Sequence, residues 1–262
     1  MPVVSAALTD LGLRRPANED SYVSRPELGL HVVCDGMGGH AAGEIASRVA
    51  ADAIEAFIER TEGVASGFAW PFRYNPDWGI DGNRLVSALL LANREIAKRV
   101  VDEPPLRGMA TTAVCLLLSP QFQAPGVVPA LFAHVGDSRA YLWRGGDLDQ
   151  VTRDHSWVEE QMTLGVLSEA EARKHPWRNL VTRALAGAEE PRVELTPINL
   201  EPGDRVILCS DGLTSPLTNA VIGEILARTP MGRPGELCQA LIDAANGAGG
   251  PDNITVIVVE VT

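Results

Sequence analysis

Four short apolar runs of this sequence each carry an aspartate at or beside one end. They are residues 30–36 with Asp35, 130–137 with Asp137, 206–212 with Asp211, and 252–259 with Asp252. Runs this short and this rich in Val, Ile and Leu have the pattern of buried strands. An ionised carboxylate beside a buried strand is costly unless an opposite charge compensates it. Four such positions imply that the strand ends converge and that a hard divalent cation holds the charges together through oxygen ligands. The chemistry this predicts is metal-assisted.

A further acidic motif, Arg15-Pro16-Ala17-Asn18-Glu19-Asp20, lies one short hairpin before Asp35. Adjacent residues of a strand face opposite sides, so Glu19 and Asp20 cannot both face one ion; one lies beside it and the other behind. The Asp-Gly pairs at 35 and 211 read as tight turns. Glycine also lets a backbone carbonyl approach a cation closely. Gly36-Met37-Gly38-Gly39 lacks the lysine and the spacing of a nucleotide-binding loop.

The elements that must position these groups follow from periodicity. A hairpin is expected over 21–24 and 29–34. A helix is expected over 43–60, with Ile45, Val49, Ala53, Phe57 and Ile58 on one face, and a second over 83–101, with Leu85, Leu89, Ala92, Ile96 and Val100 inward and Asp81 or Asn83 as its cap. Further strands are expected at 111–118, 127–135, 139–143, 192–196, 204–210 and 253–261, and helices at 219–228 and 234–246. Residues 154–188 are polar with short helical pieces, including a capping box at Ser168-Glu169-Ala170-Glu171. Phe68, Trp70, Phe72, Tyr74 and Trp78 crowd residues 61–82, which read as a loop tucked against the helix pair, with a docking surface as the alternative. Strict strand–helix alternation is absent. The pattern therefore predicts an α+β fold in which helices cover antiparallel sheets.

Composition narrows the function. The 262 residues suffice for one large domain or two small ones, and 45% hydrophobic content predicts a globular fold. A formal net charge of −12 opposes nonspecific nucleic-acid binding, which needs a basic surface. No stretch approaches the ~20 apolar residues of a membrane span, and the first residues lack the pattern of a secretory signal. Cys34, Cys115, Cys209 and Cys238 form no C-x-x-C pair and read as buried thiols of a reducing compartment. Thiolate is in any case the wrong ligand for a hard ion.

Six motifs carry a resemblance. They are the Arg15–Asp20 motif above, Asp35-Gly36-Met37-Gly38-Gly39-His40-Ala41-Ala42-Gly43-Glu44, Gly108-Met109-Ala110-Thr111-Thr112, His134-Val135-Gly136-Asp137-Ser138-Arg139, Leu208-Cys209-Ser210-Asp211-Gly212-Leu213-Thr214 and Gly250-Pro251-Asp252-Asn253-Ile254-Thr255. In this order, over about residues 5–260, they resemble the metal-dependent protein phosphatases, the type 2C serine/threonine phosphatase family in its bacterial form.

The resemblance implies a single catalytic domain over residues 1–262, folded as a four-layer αββα sandwich of two antiparallel sheets flanked by helix pairs. It implies two Mn2+ or Mg2+ ions, with a third, weaker one. Asp35 would bridge the pair; the Gly36 carbonyl would bind one ion, with Glu19 near it through water; Asp211 and Asp252 would hold the other. Asp137 with Asp211 matches the pair that holds the third ion. Arg15 matches the arginine that grips the substrate phosphate, and Asp20 would orient the attacking water from behind the ligands. Hydroxide would then attack the phosphorus of phosphoserine or phosphothreonine in line, without a phosphoenzyme.

Two positions depart from the family pattern. Met37 stands where eukaryotic members carry a histidine, leaving His40 as the candidate proton donor, with a capping role as the alternative. Ala110 stands where bacterial members carry glycine. Residues 154–188 fall at the family's variable flap, which reads either as a substrate gate or as plain surface helix. The partners implied are phosphorylated proteins, among them a serine/threonine kinase and its substrates, with neither nucleic acid nor membrane, and the state implied is a cytoplasmic monomer. A noncatalytic module of this fold would have lost acidic ligands, yet all six acidic positions are filled. A two-metal esterase for nucleic acid or small phosphoesters is opposed by the charge and the motifs.

Overall fold

The computed structural model describes residues 2–38, 42–64, 68–119 and 126–262. Its strands are β1 (Val3–Asp10), β2 (Asp20–Arg25), β3 (Leu30–Met37), β4 (Ala110–Thr111), β5 (Ala113–Leu118), β6 (Val128–Val135), β7 (Arg139–Arg144), β8 (Asp147–Gln150), β9 (Glu194–Leu200), β10 (Arg205–Cys209) and β11 (Ile254–Val261). Its helices are α1 (Ala42–Arg60), α2 (Gly79–Asp102), α3 (Trp157–Thr163), α4 (Glu169–Ala172), α5 (Asp211–Thr214), α6 (Asn219–Arg228) and α7 (Pro234–Gly247). One sheet has the order β1-β11-β10-β7-β8 and the other β2-β3-β5-β6-β9, with β4 on the end of β3. Every pairing is antiparallel.

Three apolar layers hold the four structural layers together. Val114, Leu116 and Phe132 of one sheet meet Val206, Leu208 and Ile257 of the other between the sheets. The opposite faces of the same strands carry Cys115 and Leu117 toward α1 and α2, and Ile207, Val256 and Val258 toward α6 and α7. A strand covered on both faces needs apolar residues at every position, which is why these runs are continuous rather than alternating. The α+β sandwich is the expected fold.

Local differences have local causes. β1 was not expected; its small residues Ser5, Ala6 and Ala7 carry little strand signal, yet it pairs with β11 along its whole length. The four-residue β8 is too polar to read as a strand. On α1 the fully buried face is Ala46, Ala50 and Ile54 with Phe57 and Ile58, whereas Ile45, Val49 and Ala53 flank it half-buried; close approach to the sheet selects the alanines. α2 begins at Gly79, so Asp81 and Asn83 lie inside its first turns instead of capping it. Asn83 instead bonds the Asn75 backbone, accepting from its N–H at 2.8 Å and donating to its carbonyl at 2.7 Å, while Asp81 pairs with Arg84 at 2.9 Å. The capping box at Ser168 and Glu171 is present.

In the aromatic loop, Phe68 packs on the α1–α2 core and meets Trp70 edge-on, ring centroids 5.1 Å apart. The Arg94 guanidinium of α2 stands 3.9 Å above the Phe72 ring. Phe68 and Phe72 are tucked against the helix pair, whereas Tyr74 and Trp78 are exposed; residues 65–67 of this loop lie outside the described residues. Ile257 is fully buried between the sheets. Ile257→Ala is expected to destabilise the fold by about 2–5 kcal/mol, read as a shift in the urea midpoint at unchanged slope.

Candidate metal centre

The β2–β3 hairpin pairs Asp20 directly with Asp35. Thr111 and Thr112 fix the Asp35 backbone: its carbonyl accepts from Thr112 N at 2.9 Å and Thr111 Oγ1 at 2.8 Å, and its N–H donates to Thr112 Oγ1 at 3.1 Å. Asp137 follows Gly136 in the turn between β6 and β7, Asp211 opens α5 after β10, and Asp252 precedes β11. Arg15 and Glu19 come from the loop between β1 and β2. Arg15, Glu19, Asp35, Gly36, Asp137, Asp211 and Asp252 line one cavity of about 210 Å³, with Asn179 and Val181 of the 154–188 segment at its wall. The structure thus brings together every expected site residue except Asp20, which lies behind the cavity, and His40, which is outside the described residues.

Asp20 and Glu19 do face opposite ways. Asp20 Oδ2 accepts hydrogen bonds from Ser210 Oγ and Thr255 Oγ1, both at 2.7 Å, and so bridges one sheet to the other. The Glu19 carboxylate lies against the start of α1, where a Cβ on Gly43 would stand 2.4 Å from its Oε2. A Cβ on Gly36 would stand 2.2 Å from the Gly43 carbonyl and 2.4 Å from that of Glu19. Only glycines fit this cradle. Arg15 Nη2 donates to Asp252 Oδ2 at 2.5 Å.

The four lining aspartates are half-buried, open to the cavity and enclosed on their other sides. Loss of solvation pushes Asp137 up to about 8, with Asp211 and Asp154 adding to it, and Asp211 up to about 6, with Asp252 adding. Asp35 is driven well above the carboxylate range by burial and then by Asp20 and Asp211. Asp20 rises to about 7, burial outweighing the hydrogen bonds from Thr255 and Ser210. Such crowding of oxygen donors, with no imidazole or thiolate among the described lining residues, fits a hard cation such as Mg2+ or Mn2+. Cys209, close by, is fully buried and its thiol is pushed up to about 12, so it offers no thiolate.

Several residues that hold the site carry no individual signal in the sequence. Asn253 accepts from Glu19 N at 2.8 Å and donates to the Leu11 and Ala17 carbonyls at 2.9 and 3.0 Å, tying the loop after β1 to the start of β11. Thr112 also bonds Ser138 Oγ at 2.6 Å. Ser210 and Thr255 could have been noticed as hydroxyls inside otherwise apolar runs.

Strand ends, acidic cavity and glycine cradle together define an oxygen-donor site suited to hard divalent ions. A family model described as protein phosphatase 2C matches residues 17–232, and the chain belongs to that family. It is 38% identical over 257 residues to the serine/threonine protein phosphatase PstP of Mycobacterium tuberculosis, covering 98% of this chain and 44% of the relative. It is 35% identical over 261 residues to the protein phosphatase PhpP of Streptococcus pneumoniae, covering 96% of this chain and 95% of the relative. The chain thus spans less than half the length of PstP. The crystal structure of the M. tuberculosis PstP superposes with a TM-score of 0.81 at 36% identity, covering 99% of this chain and 98% of that one. A structure of the PstP catalytic domain in complex with two manganese ions superposes with a TM-score of 0.78 at 35% identity, covering 99% of each chain.

Two outcomes follow for the metal-free protein. Gly43→Ala is expected to displace the Glu19 carboxylate and weaken Mn2+ uptake by roughly ten- to a hundredfold, measured by calorimetry, with the far-UV spectrum unchanged. Carboxyls whose pKa values are raised hold protons below those values, and a cation must displace them. Mn2+ uptake is therefore expected to weaken as pH falls from 8 to 6 and to release more protons at pH 6, read by calorimetry in buffers of different ionisation enthalpy.

Proposed function

We propose that this chain hydrolyses phosphoserine and phosphothreonine in proteins and opposes a serine/threonine kinase. The observation that carries this is one small cavity joining a single arginine to five carboxylates from strand ends of both sheets. In this reading Asp35, the Gly36 carbonyl, Glu19, Asp211 and Asp252 would hold a pair of ions, and Asp137 with Asp211 would hold a weaker third. When bound, paired Mn2+ or Mg2+ supplies hydroxide near neutral pH and neutralises phosphoryl charge.

The remaining work belongs to the chain. Arg15 is the one cation among the described residues lining the cavity, and its side chain is half-exposed. Its guanidinium can keep Asp252 on one nitrogen and offer others to two phosphoryl oxygens, a fork that lysine could not present. The Ser210 and Thr255 hydroxyls occupy one oxygen of Asp20 and hold its carboxyl behind the ligands, from where it would orient the attacking water. His40, which lies outside the described residues, is the candidate donor of a proton to the leaving oxygen, with a capping role as the alternative. Asn179 and Val181 at the cavity wall support the segment 154–188 as a substrate gate. The same reading takes residues 1–262 as one catalytic domain acting as a cytoplasmic monomer. No described helix is long and apolar enough to cross a membrane.

The test is Mn2+-dependent hydrolysis of a phosphothreonine peptide beside a phosphotyrosine peptide and DNA. Turnover of the first alone is expected; no phosphothreonine turnover with any divalent metal rejects the reading. Asp35→Asn and Asp211→Asn are expected to lose activity with the fold retained. Arg15→Ala is expected to raise KM by roughly ten- to a hundredfold, the worth of a hydrogen bond to a charged group, with a smaller change in kcat; a fall in kcat alone would assign Arg15 to the transition state only.

A further inference from the structure

We propose that His155 is a positioning residue that sets the backbone carrying Asp137 and couples it to the segment 154–188. This rests on the reading that Asp137 holds an ion. His155 grips the peptide of Gly136 from both sides: its backbone N–H donates to the Gly136 carbonyl at 2.9 Å, and its ring Nδ1 accepts from Gly136 N at 3.1 Å. Gly136 has φ +109°, and a Cβ there would stand 2.6 Å from the Thr112 side chain. The turn is therefore held between Thr112, which also fixes Asp35, and His155. Asp137 is the next residue.

The ring of His155 is buried, and its far side continues the chain of contacts. Nε2 lies 3.1 Å from Glu194 Oε1, off the axis of an ideal hydrogen bond, and the same oxygen accepts from Arg183 Nη1 at 2.9 Å. The His155 carbonyl accepts from Thr182 N at 2.8 Å. Thr182 and Arg183 directly follow Val181, which lines the cavity. One end of this chain is the cavity wall and the other is Asp137.

His134, His155 and Glu194 have ligand atoms within 4.8 Å of one another, close enough to suggest a second cation site. The proton positions argue otherwise. Because Gly136 N–H points at Nδ1, the neutral ring must carry its hydrogen on Nε2, where a metal would need a lone pair. The His134 and His155 rings are stacked, with centroids 4.6 Å apart and planes 15° from parallel, so their nitrogens do not converge on one point. His134 Nε2 is committed to the Arg153 carbonyl at 2.7 Å. The arrangement is a hydrogen-bonded clamp. Burial keeps the His155 imidazole neutral, its pKa lowered to about 4, and a neutral ring can accept on one nitrogen while donating on the other.

The test compares His155→Ala, His155→Asn, Glu194→Ala and Asp137→Asn with the parent chain, by amide hydrogen exchange of the metal-free protein and by calorimetric titration with Mn2+. His155→Ala is expected to speed exchange of the Gly136 amide about tenfold or more, since it loses its acceptor. It should weaken by roughly ten- to a hundredfold the Mn2+ uptake that Asp137→Asn removes, the usual cost of losing a group that orients a ligand. His155→Asn, whose amide oxygen can accept from Gly136, should recover much of both. Glu194→Ala, at a half-exposed position, should speed Gly136 exchange in the same direction. A folded His155→Ala with unchanged Gly136 exchange and Mn2+ uptake overturns the proposal, as does His155→Asn behaving like His155→Ala. Should His155→Ala not fold, unchanged Gly136 exchange in Glu194→Ala overturns it. If Asp137→Asn itself leaves Mn2+ uptake unaltered, the ion assigned to Asp137 is what fails, and Gly136 exchange still decides the clamp.

Discussion

Carboxylates do not gather inside a protein of their own accord. Each loses solvation and repels the next, and both effects grow as the local dielectric falls. Here five of them face one cavity with a single arginine for company. The protein meets that cost with neutral groups that fix the backbone and leave the carboxyl oxygens aimed inward. Thr111 and Thr112 hold the Asp35 backbone and Asn253 that of Glu19, while behind the cavity Ser210 and Thr255 hold the Asp20 carboxyl. The two sheets are the frame for these contacts, since Asp35 and Asp137 come from one and Asp211 and Asp252 from the other. The packing between the sheets therefore sets the distances between charges.

That division explains what could be read from the chain. Strands covered on both faces must be apolar throughout, so β3, β5, β6, β10 and β11 announced themselves, and the aspartates at their ends with them. That Glu19 or Asp20 lies alongside Asp35 followed from the length of one hairpin, and the register selects Asp20. β1 escaped because small residues suit its place against β11 and α7 but carry no strand signature. The burial of α1 is rotated from the expected stripe toward Ala46 and Ala50, since contact distance rather than hydrophobicity chooses residues where a helix lies close on a sheet. The roles of Asn253 and His155 are long-range hydrogen bonds. Asn253 reaches back more than 230 residues to Glu19, and nothing local marks it.

The positions that depart from the family pattern sit quietly in the fold. Ala110 pairs with Met37 in the two-residue strand β4, where an ordinary extended conformation accepts a side chain as readily as glycine. Met37 lines the cavity and brings no titratable group to it. Among the glycines that are not exchangeable are Gly36 and Gly43, whose backbones pack closely, Gly136, which turns the chain into Asp137, and Gly212, where a Cβ would stand 1.8 Å from the Asn253 carbonyl.

The pairing of β1 with β11 has a consequence for biosynthesis. A ribosome working at about 5–20 residues per second needs roughly 12–50 seconds between releasing the first strand and supplying its partner. Until then β10 has a bare edge, Arg15 has no acid to rest against, and Asp252 does not yet exist. Nascent chains consequently lack a complete acidic cavity until the strand that pairs with β1 and β10 also delivers Asp252 to its wall.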